Sequence, residues 1–153
     1  VCGISDANSS EFSQTTKKPV IDLLPNQDLE ADDVGASMRL GTYPCKIQPD
    51  TMAKDLYNNE IIYERHRHRY EVNNKFRNEL ESKGLVFSGL SPDEDLVEMI
   101  ELKDHPYFVA SQFHPEFKSR PWDPAPMFNS FIAASKEIKF FDENVKDEHQ
   151  VKD

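Results

Sequence analysis

The chain has 153 residues, enough for one domain with a core of its own, and 37% of them are hydrophobic, with ten Phe as bulky core material. Its 28 acidic and 18 basic side chains leave a formal net charge of −10, which argues against a general nucleic-acid or anionic-membrane binder. The two cysteines, Cys2 and Cys45, make neither a disulfide framework nor a metal-binding spacing, and a reducing, cytosolic setting is the simplest fit.

No secretory signal is visible, and no apolar run approaches a membrane span. The chain opens at Val1 directly against a polar cluster and reads as a piece of a longer protein. In residues 1–12, Asp6, Asn8, Ser9 and Ser10 favour turns, which predicts a surface loop ending at Glu11 and Phe12. Residues 19–24 predict a short strand with Pro19 at its start. Residues 25–35 carry Asp28, Glu30, Asp32 and Asp33 and predict a solvated loop, without the Gly-punctuated pattern of a calcium loop. Residues 37–47 alternate as a strand or hairpin arm, with Arg39 a salt-bridged structural arginine and Cys45 a small buried residue. Asp50 and Thr51 are good N-caps for a short helix over 50–58.

Residues 60–72 are dense in charge. Alternation puts Arg65, Arg67 and Arg69 on one face of a strand and His66, His68 and Tyr70 on the other. His66 and His68 form a strand His-x-His pair, but no third metal ligand is evident. The arginines are bracketed by Glu64 and Glu71, which opposes a nucleic-acid role. The remaining reading is a strand whose arginines are tied to carboxylates and whose last arginine faces a substrate.

A helix follows over 74–84, capped by Asn73 or Asn74 and stopped at Lys83-Gly84. Residues 85–90 and 96–102 predict a hairpin around the turn at 91–95. His105 lies in a connecting turn and is not assigned to catalysis. Tyr107-Phe108-Val109-Ala110 reads as a short buried strand that runs into Gln112-Phe113-His114-Pro115-Glu116-Phe117. A strand would send His114 and Glu116 out on one side, with Cα atoms about 6.6 Å apart. A carboxylate there can hold one imidazole nitrogen and fix the tautomer of the other, the second half of a nucleophile–His–acid relay. On spacing alone the favoured reading is a strand-capping histidine beside a surface glutamate. Residues 119–124 predict a rigid extended segment. Pro126 starts a helix with the apolar stripe Met127, Phe128, Phe131, Ile132 and Ser135. The first domain is expected to span 1–141, with a charged, disordered tail at 142–153.

Gln112-Phe113-His114-Pro115-Glu116-Phe117 resembles the His-Pro-Glu signature of class I glutamine amidotransferase domains. Met38-Arg39-Leu40-Gly41, the stretch from Glu64 to Asn73, and the segment from Asp6 to Phe12 resemble the C-terminal part of that domain in the CTP synthase family. The resemblance covers about residues 1–136. It implies an α/β, three-layer fold with a mixed sheet flanked by helices and a cleft at the strand end bearing His114. It implies catalytic roles for His114 and Glu116. Glu11 would bind the α-amino group of the substrate glutamine, and Arg69 its α-carboxylate.

The family hydrolyses glutamine with a Cys–His–Glu triad, and the ammonia aminates UTP to CTP in a separate N-terminal synthetase domain that uses ATP and Mg²⁺. It is cytoplasmic, homotetrameric and activated by GTP, serves pyrimidine biosynthesis, and needs neither nucleic acid nor membrane as partner. Its nucleophile sits in a Gly-x-Cys-x-Gly elbow that neither Cys2 nor Cys45 matches, so this chain alone is expected to be inactive, with no metal or cofactor of its own. Gly-Ala-Ser at 35–37 departs from the family's Gly-Thr and puts a loop length in doubt. The alternatives are a degenerate, non-catalytic regulatory module, a zinc module on His66 and His68, or an arginine-rich nucleic-acid binder.

Overall fold

The computed structural model describes residues 1–23 and 38–137. The acidic loop expected over 25–35 and the tail expected over 142–153 lie outside them. Among the described residues eight strands form two sheets. β1 (Ala7–Ser9), β2 (Lys18–Leu23) and β5 (Tyr70–Val72) make a mixed sheet in the order β1-β2-β5. β1 is parallel to β2, and β5 is antiparallel to it. The second sheet is antiparallel, in the order β4-β3-β6-β7-β8, from β3 (Arg39–Ile47), β4 (Ile61–His68), β6 (Leu85–Leu90), β7 (Val97–Leu102) and β8 (Val109–Ser111). The α/β class and the flanking helices agree with the expectation. The loop expected over 1–12 instead contains β1, because Ala7, Asn8 and Ser9 find a partner in β2.

Helix α1 (Met52–Tyr57) sits between β3 and β4. Its first N–H groups are all accounted for. Thr51 Oγ1 accepts from Lys54 N at 3.1 Å, and the Glu101 carboxylate of β7 accepts from Met52 N at 2.9 Å and Ala53 N at 3.1 Å. One cap is local in sequence and the other arrives from a distant strand, so the helix is fixed to the sheet at its start. Asn73 caps a 3-10 turn at Asn74–Phe76 that leads into α2 (Arg77–Ser82). β6 and β7 form the predicted hairpin.

Two apolar clusters make the core. One joins Cys45, Ile47, Ala53, Ile62, Met99, Phe113 and Met127, and the other Leu80, Leu85, Phe87, Leu90 and Val97. Gly89 of β6 packs against the first cluster: a Cβ there would stand 2.7 Å from Cys45 Sγ and 2.9 Å from Met99 Cγ. Only glycine lets these strands close.

Helix α3 (Pro126–Glu137) starts at the predicted proline, but its stripe is not buried as a unit. Met127 is buried, while Phe128, Phe131 and Ile132 are 41%, 54% and 53% exposed. Among the described residues the helix packs on α1 and accepts one hydrogen bond, from Tyr107 Oη to Met127 O, which covers a single face. No helix among the described residues is long and apolar enough to cross a membrane.

Candidate active site

The strand expected over 107–110 is shorter and less buried than its composition suggests. β8 begins at Val109 and lies at the sheet edge, with Ala110 exposed. The chain leaves the ladder after Ser111, and Pro115 starts a 3-10 turn over Pro115–Phe117. His114 and Glu116 therefore meet across this turn and not along a strand. Proline fits there because it donates no hydrogen bond and its φ suits the first position of a helical turn. Glu116 Oε1 lies 2.7 Å from His114 Nδ1.

That contact decides the ring's tautomer. A carboxylate only accepts, so Nδ1 carries the proton and Nε2 keeps its lone pair, the form a general base needs. The hydrogen bond from His114 also holds the Glu116 carboxyl below its usual range. Three further contacts fix the imidazole. Its backbone N donates to Arg65 O of β4 at 2.8 Å, the Phe117 ring stacks on it at 5.2 Å, and the preceding Phe113 is buried in the core. The His114 side chain is 38% exposed, so the ring is anchored but open to a reactant.

The mixed sheet gathers the two residues expected to bind substrate. β1 runs parallel to β2 with Ser9 opposite Ile21, so Glu11, two residues on, leaves at the C-terminal end of both strands. β5 is antiparallel with Tyr70 opposite Leu23, so Arg69, one residue before β5, enters at that same end. Glu11 is exposed there. Gln112 Nε2 donates to Tyr70 O at 3.4 Å and ties the relay segment to this edge. Sequence alternation misplaces Arg69. β4 alternates as expected through His68, with Ile62, Glu64 and His66 buried, but the chain bends at Arg69, which leaves the exposed face of Arg65 and Arg67 and becomes half-buried.

Behind this edge lies a buried polar cluster that sequence reading found only in part. Arg39 is the structural arginine expected: its Nη1 lies 2.5 Å from Glu98 Oε1 and 3.6 Å from Glu71 Oε1, and its guanidinium covers the Tyr43 ring at 4.5 Å. The missing third neighbour of the His66–His68 pair is Glu98, from β7. Ligand-type atoms of His66, His68 and Glu98 all lie within 4.8 Å of one another. The Arg39 guanidinium already neutralises Glu98, and His66 Nδ1 is 2.9 Å from His68 Nε2. A dication there would face the Arg39 guanidinium, whose charge opposes a second cation beside Glu98.

Both cysteines pack in the apolar clusters, away from the relay. Cys45 is fully buried, and burial pushes its thiol up to about 12, far from a thiolate at neutral pH. Cys2 is half-buried and packs beside Leu80 and its neighbours. His105 lies exposed in its turn, accepting from Tyr107 N at 3.2 Å. An apolar cleft of about 160 Å³ between the sheets is lined by Ile21, Val72 and Gln112 among others, but not by His114, Glu116, Glu11 or Arg69.

The family model for glutamine amidotransferase class-I matches residues 12–134. CTP synthases of Caldanaerobacter subterraneus subsp. tengcongensis, Moorella thermoacetica and Bacillus subtilis are 60%, 63% and 58% identical over 139, 135 and 137 residues. These alignments cover 91%, 88% and 90% of this chain but 26%, 25% and 25% of the relatives, so the chain spans about a quarter of their length. A solved structure described as the Trypanosoma brucei CTPS glutaminase domain with bound acivicin superposes with a TM-score of 0.79 at 37% identity, over 92% of this chain and 55% of that one. Fold, relay motif and relatives agree: the chain belongs to the class I glutamine amidotransferase family, as part of the amidotransferase domain of the CTP synthases.

Proposed function

We propose that this chain supplies the general base and the substrate grips of a glutaminase that feeds ammonia to CTP synthesis. The observation that carries the reading is the 2.7 Å contact between His114 Nδ1 and Glu116, in a segment that Gln112 ties to Tyr70, beside Arg69 at the end of the mixed sheet. Arg69 holds the α-carboxylate of glutamine and Glu11 its α-ammonium, each a charge-assisted pairing. His114 Nε2 takes the proton of a thiol nucleophile as it attacks the side-chain amide. The resulting imidazolium protonates the leaving ammonia. Water then enters, activated by the same nitrogen, and glutamate leaves. Glu116 keeps the ring in one tautomer through both halves.

In this reading the nucleophilic cysteine and the oxyanion donors come from outside the chain, so the chain alone is inactive. The whole protein is a cytoplasmic, homotetrameric CTP synthase whose synthetase domain uses ATP and Mg²⁺. The test is glutamate release from L-glutamine by the protein expressed from its entire reading frame. His114→Ala should lower the rate by on the order of 10²- to 10⁴-fold. Arg69→Ala and Glu11→Gln should act mainly by raising KM. A parent protein that releases no glutamate would instead favour a non-catalytic regulatory module.

A further inference from the structure

The carbonyl oxygen of Tyr70 has two side-chain neighbours. His68 Nδ1 lies 3.2 Å from it and Gln112 Nε2 donates to it at 3.4 Å. A carbonyl only accepts, so the hydrogen bond from His68 requires a proton on Nδ1. Burial pushes His68 down to about 4 and His66 down to about 3, so both rings are neutral at physiological pH. His68 Nε2 is then an acceptor, and His66 must donate to it from Nδ1 across the 2.9 Å contact. Glu98 Oε2 at 3.5 Å and Glu71 Oε1 at 3.3 Å face the same two donors. Hydrogen bonding thus runs in one direction, from His66 through His68 to the Tyr70 carbonyl.

The chain around that carbonyl is the substrate edge. Arg69 lies between His68 and Tyr70. Gln112 is two residues before His114, and its own backbone N donates to Glu98 O at 2.8 Å. One oxygen is therefore fastened both to the buried cluster and to the relay segment.

We propose that His68 and Gln112 are positioning residues of the glutaminase site, which through the Tyr70 carbonyl set the spacing between Arg69 and His114. The inference rests on the glutaminase reading above. Neither side chain touches the reacting atoms. Arg69 grips a part of glutamine that does not change during reaction, so misplacing it weakens substrate and transition state together. That raises KM and leaves kcat nearly constant.

Conservative variants test the direction of the hydrogen bonds. Asn at 68 puts an amide nitrogen where Nδ1 stands, whereas Gln reaches the place of Nε2 and leaves the carbonyl unserved. In the protein expressed from its entire reading frame, His68→Ala and His68→Gln should raise the KM for glutamine about tenfold, as expected for one buried hydrogen bond. Gln112→Leu should shift KM the same way. His68→Asn should stay within about threefold of the parent. Equal KM shifts for His68→Asn and His68→Gln, or a loss confined to kcat, would overturn the proposal. Nitrogen NMR of the parent gives an answer that does not depend on any variant folding: Nδ1 of His68 should carry the proton, and a proton on Nε2 instead contradicts the inference. A parent that hydrolyses no glutamine would overturn the glutaminase reading itself, whereas an active parent with indifferent His68 variants sinks only this inference.

Discussion

In the proposed relay Glu116 accepts a hydrogen bond from His114 Nδ1, so its charge matters as well as its position. Glu116→Gln keeps the shape but presents a neutral amide that can flip and donate, which frees the ring to take the other tautomer. Glutamine hydrolysis should fall by on the order of 10²-fold or more, with little change in KM, and steady-state kinetics will show it. Cys45 behaves in the opposite way from a nucleophile. Its buried thiol, pushed up to about 12, should resist iodoacetamide at pH 7 in the folded protein and react once the protein is unfolded. Rapid labelling of Cys45 in the native state would contradict its placement in the core. At this scale the sequence was readable where chemistry is local. His114 and Glu116 are two residues apart, so their contact needs only a turn. Glu98 lies 32 positions beyond His66, and no alternation pattern announces that the two side chains meet.

Elements were legible where local signals and tertiary packing agree. The Thr51 cap, the 85–102 hairpin and the alternation of β4 follow from residue type and period. Other elements depend on neighbours. β1 exists because β2 pairs with it, and its polar residues alone predict a loop. The relay segment reads as a strand end in sequence, because Pro115 ends a ladder and begins a 3-10 turn equally well. The α3 stripe is the case where pattern and packing diverge: helical spacing marks the apolar face, but says nothing of what covers it. Gly89 offers the sharpest test of element packing. Gly89→Ala forces a methyl into Cys45 Sγ and Met99, at 2.7 and 2.9 Å, and should lower unfolding stability by about 1–3 kcal/mol in denaturant titrations. A neutral or stabilising result would mean that β3, β6 and β7 do not approach this closely.

For the whole molecule, the buried cluster makes stability depend on pH with a calculable sign. Burial lowers His66 and His68, from 6.5 to about 3 and about 4, so the unfolded chain binds protons that the fold rejects. Their contribution is complete above pH 6.5 and is lost as pH falls through the folded values. Burial raises Glu71 from 4.5 to about 8 and raises Glu98 as well. There the fold binds protons that the unfolded chain has released, so that contribution is present at low pH and is lost as pH rises toward 8. Above pH 6.5 only the carboxylate effect remains. The melting temperature should therefore decline between pH 6.5 and 8, and a rise over that interval in calorimetry would contradict the buried cluster. The most direct test of the glutaminase assignment is to compare two nitrogen sources in the protein expressed from its entire reading frame. CTP formation from UTP and ATP is followed with glutamine and with ammonia, in the parent and in His114→Ala. If His114 serves glutamine hydrolysis, the variant loses the glutamine-driven reaction and keeps the ammonia-driven one. If both reactions persist in the variant, His114 is a strand-end histidine beside a surface glutamate and the relay assignment is wrong.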